Sequence, residues 1–525
     1  MSAFAPLRHR MFAVLWLAAV VDNTGMWMRD VGLVWLMTEI DPRPWLVAAV
    51  QAAAALPVFL LALPAGALAD ILDRRRLLLA AQLALMLLSV LLAGLTWAGL
   101  MTPALIILLT LAGGIGAALS NPAWQTVVPQ LVPREDLRAA VALNSLGINI
   151  SRAIGPALGG VVVATAGVAS AFALDALSFI GILAALLWWR PAAPRSSKSP
   201  EALGGAIRAG LRYAWNSAAL RRVLLRALAF FVFGAAPWAL LPLVARQGLG
   251  GDAGLYGVLL GAIRVGAVAG ALTMPALQRR LGGPEGVLAF GGLGTGLVTL
   301  MLGLAPVAFV AVIACLLLGA AWIAALTTLN VATQSALPDW VRGRGLALYL
   351  MVFSGGMAGG SMGWGVLAQQ IGRPEALALA GLLGFGATLL LWRSAKLPLA
   401  VEGLVASDHM PGHHALAEAP GPQDGPVTVL LEYRLRQPED RAALLAALAP
   451  LEAVRRRDGA RSWWAMTDPA DRTRVVEIFE VADWAEHERM HARATQADQA
   501  LHRAANGWDL DGAPRLRHLV GARQG

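Results

Sequence analysis

Charge is scarce in this sequence. Asp, Glu, Lys and Arg make up 14% of its 525 residues, where a water-soluble chain carries about 25%. That shortage excludes an ordinary soluble enzyme. Cysteine is scarcer still. Cys315 stands alone inside an apolar run, which excludes a disulfide framework, a thiolate metal cluster and a CxxC redox pair. No G-x4-G-K-[ST] loop occurs, so direct ATP hydrolysis by this chain is not expected. No small-x-small site follows the first apolar run, which therefore reads as a retained span and not as a signal peptide. No basic stripe is interleaved with exposed aromatics, so nucleic acid is set aside as a partner.

What the sequence has is apolar: 57% hydrophobic residues, with 56 glycines and 18 tryptophans. Its charge is unevenly placed. The first 400 residues carry 27 basic and 14 acidic side chains, the last 125 carry 15 and 19. The net charge of +9 therefore arises in the apolar part. Basic loops around apolar spans point to the lipid bilayer as partner.

Apolar stretches near 20 residues recur at 11–37, 46–69, 77–98, 104–127, 139–164, 168–189, 222–245, 254–276, 286–305, 307–333, 345–370 and 375–393. A hydrocarbon core of about 30 Å needs roughly 20 helical residues, so each stretch is a candidate span. Basic residues set the orientation. With the N-terminus cytoplasmic, that side holds Arg8, Arg10, Arg74, Arg75, Arg76, Arg134, Arg138, the arginines of 190–226, Arg279, Arg280, Arg342, Arg344, Arg393 and Lys396. The opposite side holds only Arg43, Arg246 and Arg373. Every second loop is basic, and twelve spans bring the C-terminus back to the cytoplasm.

The sequence repeats. Asn121-Pro-Ala-Trp-Gln125-Thr-Val-Val-Pro129 and Asn330-Val-Ala-Thr-Gln334-Ser-Ala-Leu-Pro338 share N-x3-Q-[ST]-x-x-P at an offset of 209. Both lie at the cytoplasmic end of a span and precede a basic loop. Offsets within about five residues of this one carry 70–76 onto the loop at Gln278-Arg279-Arg280, and 155–160 onto the Gly-rich 359–365. Two six-span halves in parallel orientation are a transporter pattern. The expected organisation is an N-terminal six-helix bundle at 1–190, a cytoplasmic linker at 191–221 and a C-terminal six-helix bundle at 222–395. A flexible linker at 396–425 and a small cytoplasmic domain at 426–521 complete it.

Gly66-Ala-Leu-Ala-Asp70-Ile-Leu-Asp73-Arg74-Arg75-Arg76 resembles the major facilitator superfamily loop G-x-L-x-D-R-x-G-R-R, departing from it at Ile71 and Asp73. The resemblance implies that Gly66, Asp70, Arg74 and Arg75 form a charge-relay latch on one access state; the plain alternative is a basic loop with no switching role. Gly155-Pro156-Ala-Leu-Gly159-Gly160 is similar to the G-P-x-x-G-G motif of that superfamily's antiporters. Small residues there let helices approach closely, and Pro156 permits a bend. The run 121–160 looks like the superfamily's transmembrane secretion effector branch, which includes exporters of the enterobactin type. That resemblance implies a bacterial inner-membrane protein that exports small molecules.

Ionisable groups inside spans cost about 2.5–3.5 kcal/mol each at the bilayer centre, so they pair or line a wet cavity. Asp22, Arg152 and Arg264 fall near the middle of spans one, five and eight. Arg29 and Asp30 fall nearer the outer face, and Asp175 is expected to be interfacial. Asp22 and Arg152 are candidates for a switchable pair in which protonation of Asp22 releases the arginine to an anionic substrate; a permanent structural ion pair is the other reading. Protons are thus the expected coupling ion. Asn23, Asn121, Gln125, Asn144, Asn149, Asn330 and Gln334 are further polar candidates for the cavity, with interhelical glue the competing role.

After the spans the pattern changes. Segments 427–435, 461–467, 475–481 and 516–520 alternate like strands, while 439–456 and 483–505 have helical period. The order βαββαβ is ferredoxin-like. Arg457-Asp458-Gly459-Ala460 and Trp484-Ala-Glu486-His487-x-Arg489-x-His491 look like the soluble tail of the same branch. That tail is similar to antibiotic-biosynthesis-monooxygenase domains, which implies homodimerisation. His487-Glu488-Arg-Met-His491 matches HExxH. A zinc site needs a third ligand, however, and neither a later glutamate nor a Gly-x-x-His continuation follows. His413-His414 reads as solvated. No metal or cofactor is expected.

These features point to a secondary exporter: an α-helical membrane protein of twelve spans in two pseudo-symmetric bundles, with a small α+β domain. It would move small molecules such as siderophores or drugs by proton-coupled alternating access. The alternative is a membrane-anchored enzyme with its chemistry in the tail, against which twelve spans far exceed what tethering needs.

Overall fold

The computed structural model describes residues 4–71, 73–189, 203–397, 403–405, 407 and 420–521, with the side chains at 63, 66–71, 126 and 203–207 outside that description. The chain forms two compact units.

The first unit, from 1–199, 225–330 and 349–396, holds the apolar helices. They are α1 (Arg10–Ile40), α2 (Pro44–Ile71), α3 (Arg74–Trp97), α4 (Pro103–Val127), α5 (Leu137–Ala166) and α6 (Val168–Trp188) in the first half. After α7 (Leu203–Asn216), the second half has α8 (Ala218–Leu243), α9 (Ala253–Arg280), α10 (Pro284–Gly303), α11 (Ala308–Ser335), α12 (Arg342–Ile371) and α13 (Arg373–Ser394). Twelve of the described helices are long and apolar enough to cross a membrane. Each lies on an expected span, with ends within four residues.

Helix ends are set by local chemistry. Thr102 accepts from the Leu105 amide and Pro103 opens α4. Asp252 accepts from Leu255 at the start of α9. Such caps satisfy amides that a helix leaves unpaired. Single glycines at positive φ, Gly167 (+83°) and Gly372 (+98°), turn α5 into α6 and α12 into α13. They are 205 residues apart, not 209, so the repeat's offset shortens by four between its basic end and its other end. Prolines lie inside α2, α4, α5, α8 and α9, as membrane-spanning helices packed among others tolerate.

Glycines let the two halves touch. Gly160 of α5 lies against Gly257 and Ala253 of α9, and Gly365 of α12 lies against Ala48 of α2. These are corresponding contacts of the two halves. All four helices meet at the ends remote from their arginine-rich loops. At the same end Trp35 stacks on Tyr256 with centroids 6.2 Å apart. Arg246, in a π-helical turn at Val244–Gly248, donates to Thr38 at 3.1 Å. Together these residues seal one end of the interface. Elsewhere large aliphatic side chains stand exposed, Leu272 at 78% among them, as a lipid-facing surface requires.

The second unit comprises 200–224, 331–348 and 397–525. Its sheet has the order β2-β3-β1-β4, all antiparallel, from β1 (Val427–Arg434), β2 (Ser462–Thr467), β3 (Arg474–Val481) and β4 (Arg515–Val520). Helices α14 (Arg441–Asp458), α15 (Trp484–Arg493) and α16 (Gln496–Asn506) complete the ferredoxin-like unit. One sheet face carries Val429, Tyr433, Val475 and Phe479 into a core shared with Leu444, Leu448 and Met490. The helix expected over 483–505 is two helices. Thr495 and Asp498 form a reciprocal capping box that starts α16 afresh, a T-x-x-D signature inside a helical period.

The expected polar linker 191–221 contains α7, packed in this second unit. Tyr213 is buried with Leu220, Ala336, Leu337 and Val341 and donates to the Ala336 carbonyl at 3.0 Å.

Candidate functional site

Within the first half a cavity of about 100 Å³ lies between α1, α3, α4 and α6, with Asp22, Asn23, Gln82, Ser120 and Asn121 on its walls. Gln82 is 7% exposed and donates to Asp22 over a long 3.5 Å. Among the described residues the second oxygen of Asp22 and the amide oxygen of Gln82 are buried acceptors without a hydrogen-bond partner. Two convergent acceptors favour a donor or proton between them.

Arg29 reaches the same cavity and is held by Asp175 at 3.3 Å and Asp30 at 3.4 Å. Asp175 is not interfacial as its position in α6 suggested. It is fully buried and also accepts from Ser89 at 2.6 Å. The register of α6 turns it toward α1 and α3 instead of the surface. Gly25, packed against Asp175 and Ser178, makes the approach possible. Three carboxylates, Asp22, Asp30 and Asp175, thus gather about one guanidinium in this half.

Arg152 and Arg264 lie elsewhere. Their guanidiniums stand over the Trp27 ring at 5.6 and 5.1 Å, and Arg264 also over Trp238 at 5.3 Å. Neither forms an ion pair among the described residues, and each has a buried Nε without an acceptor. The structure therefore does not join Asp22 to Arg152: the carboxylate is on the Gln82 side, the arginine on the Trp27 side. The glycine motif builds this arrangement. Gly155 packs on Trp27 and Gly159 on Met28, so α5 lies close enough to α1 to bring Arg152 over the ring. Pro156 and Gly160 are buried in the same helix. The result is two desolvated cations framed by indoles, a setting for an anionic or aromatic ligand.

The remaining candidates divide. Asn144 accepts from Trp124 at 3.4 Å beside the cavity, and Asn23 is bonded to its own helix at Ala19. Asn149 is exposed and donates to Ser145. Gln125 and Gln334 are exposed and Asn330 half-buried. At the end of α2, the side chains of Gly66 and Asp70 lie outside the described residues. Arg75 donates to the carbonyls of Leu186 and Leu187 at 2.8 and 2.6 Å, closing the C-terminus of α6, while Arg74 opens α3. Asp73, one of the departures from the loop motif, accepts from the Arg76 amide at 2.9 Å as the cap of α3.

In the second unit Arg212 of α7 donates to Glu486 of α15 at 2.8 Å. Arg493 donates to the same carboxylate and stacks over Trp340 at 5.0 Å. Burial alone would raise Glu486, but Arg493, Arg212 and Arg489 outweigh it and hold the carboxyl down at about 2. His487 and His491 bring their Nε2 atoms to 3.2 Å, and the His518 ring lies 4.7 Å from that of His487.

Sequence reasoning missed Trp27, Gln82 and Ser89. Gln82 could have been found as the lone amide of an apolar span. Trp27 could not, because one tryptophan among 18 carries no signal until its neighbours are known.

A twelve-helix membrane chain with two corresponding halves and ionisable groups at their centre is a membrane transporter of the major facilitator superfamily. The chain belongs to the transmembrane secretion effector family, whose profile matches residues 1–525. It is 28% identical over 393 residues to the enterobactin exporter EntS of Citrobacter koseri, covering 73% of this chain and 90% of that one. It is 26% identical over 262 residues to the staphyloferrin A transporter of Staphylococcus aureus, covering 49% of this chain and 65%, just under two thirds, of that one. The fold is shared with an auto-inhibited POT family peptide transporter (TM-score 0.62, 14% identity, 75% of this chain and 98% of that one). It is also shared with the nucleoside transporter NupG (TM-score 0.59, 14% identity, 73% and 98%). Named relatives are transporters and exporters, and the protein is a membrane transporter.

Proposed function

We propose that the protein is a proton-coupled exporter of small acidic molecules, siderophores among them, in a bacterial inner membrane with both termini cytoplasmic. The observation that carries this reading is the separation of charge: three carboxylates about Arg29 inside the first half, and Arg152 with Arg264 about Trp27. The surplus of carboxylate calls for an exchangeable proton, for which Asp22, bordering the cavity and bonded among the described residues only by Gln82, is the carrier. The surplus of guanidinium calls for an anion. The relatives named for siderophores support the cargo class. The close contacts of Gly160 with Gly257 and of Gly365 with Ala48, at the ends remote from the arginine-rich loops, support alternating access. By the charge bias those loops are cytoplasmic.

The test is net efflux from proteoliposomes loaded with a catecholate or carboxylate siderophore. Efflux driven by an imposed proton gradient, abolished by an uncoupler, is the expected result. Net efflux at the same rate with and without the imposed gradient would overturn the coupling.

The tail is proposed to be monooxygenase-like in fold and to pair with a second copy. Its outer sheet face leaves Trp464, Met466 and Leu519 exposed at 47, 49 and 56%, which supports a covered face.

A further inference from the structure

Helix α15 has two faces with different partners. Toward the sheet, His487, Met490 and His491 line a cavity of about 730 Å³, bounded by Phe479, His518 and α16. On the other face Glu486 and Arg493 hold Arg212 and Trp340. The two sets interleave along ten residues, so α15 cannot shift at the cavity without shifting its grip on Arg212 and Trp340.

The cavity falls within the roughly 300–1,000 Å³ range of small-molecule sites. Val429, Leu431, Phe479 and Met490 give it apolar walls. Its charged groups are mostly spoken for: Arg457 engages both Asp458 and Asp498 at 2.7 Å, and Arg455 engages Glu477 at 3.0 Å. What converges on the space is imidazole, from His487, His491, His502 and His518, with Arg515 and Arg517 also on the lining. Imidazole donates to an anion and stacks on a flat ring, and the exposed Arg515 and Arg517 on the same lining favour an anion over a cation.

We propose that this cavity binds a small aromatic acid, and that α15 converts its occupancy into release of Arg212 and Trp340. An acid drawing His487 and His491 toward the sheet pulls Glu486 off Arg212. Helix α7 lies in the connection between the two six-helix halves, and Trp340 in the turn between α11 and α12. Release therefore frees the segments that join the moving parts of the transporter. This device is separate from the coupling reading above and does not depend on it.

The experiment uses the full chain in lipid nanodiscs, with salicylate and 1-naphthoate as acids and benzamidine as a cation of similar size. Hydrogen exchange is read at 203–216 and 484–493. Both acids are expected to slow exchange at 484–493 saturably and to speed it at 203–216 by roughly threefold or more, with benzamidine inert. Met490→Trp, which intrudes on the cavity beside His487 and His491, is expected to weaken the response about tenfold. Arg212→Gln should keep the response at 484–493 and lose it at 203–216, which is then fast without ligand. No response to either acid, an equal response to benzamidine, or an unaltered response in Met490→Trp overturns the proposal. Proton-driven efflux is assayed separately on the same variants, so failure of one reading does not pass for failure of the other.

Discussion

Gly160 of α5 and Gly257 of α9 face each other so closely that a Cβ on Gly257 would come within 2.9 Å of the Gly160 Cα. No side chain fits there. A glycine motif legible in the sequence is thus the hinge of contact between the two halves.

Gly257→Val is expected to oppose that contact. Overpacking costs about 1–3 kcal/mol, and the cost falls only on the state in which α5 and α9 touch. The opposite access state should therefore gain about 5- to 150-fold in population. Labelling of single cysteines at the two ends of α9 measures this. Labelling that rises at the Gly257 end and falls at the Arg279 end is expected.

Asp175 is fully buried between Arg29 and Ser89. Removing one partner of a buried pair strands the other charge at a cost of about 3–5 kcal/mol, whereas replacing both by apolar groups is often near neutral. Asp175→Leu is expected to lower the melting temperature of the purified protein markedly, and Arg29→Met with Asp175→Leu to recover much of it. Thermal melts in detergent compare the two.

The Arg212–Glu486 contact has a defined pH window. The Glu486 carboxyl sits at about 2, below its ordinary 4.5. A depressed carboxyl contributes stability above the ordinary value, and that contribution is lost as pH falls through the folded one. Exchange at α7 should be unaffected by this group from pH 8 to about pH 5 and quicken only below about 4.5. Glu486→Gln should remove the acid-dependent step.

Pairing of tails is tested at the outer sheet face. Met466→Lys with Leu519→Glu should weaken self-association of the detergent-solubilised protein by about tenfold or more, read by sedimentation. An unchanged dissociation constant would remove this face from the interface.

Much of this was legible because a bilayer demands a crude, repeated pattern. Spans of about 20 apolar residues and alternating basic loops locate helices to within four residues at either end. The glycine motif was legible too, since only a missing Cβ permits such contacts. Pairings were not. Asp22 and Arg152 share a depth in the membrane, and depth was all the sequence offered; helix rotation decides that Asp22 meets Gln82 and Arg152 meets Trp27. Rotation likewise buries Asp175 near a helix end where a surface position was expected. In the tail, the capping box at Thr495 breaks a period that otherwise runs through it, and α7 was hidden among basic residues whose partners lie far along the chain.

The most direct test of the account is proton movement by Asp22→Asn in proteoliposomes. The substitution keeps the shape and the Gln82 contact but cannot exchange a proton. Efflux driven by a pH gradient is expected to fall at least about 100-fold, while gradient-free exchange of cargo continues near the wild-type rate. Proton-driven efflux at the wild-type rate in Asp22→Asn would contradict the account.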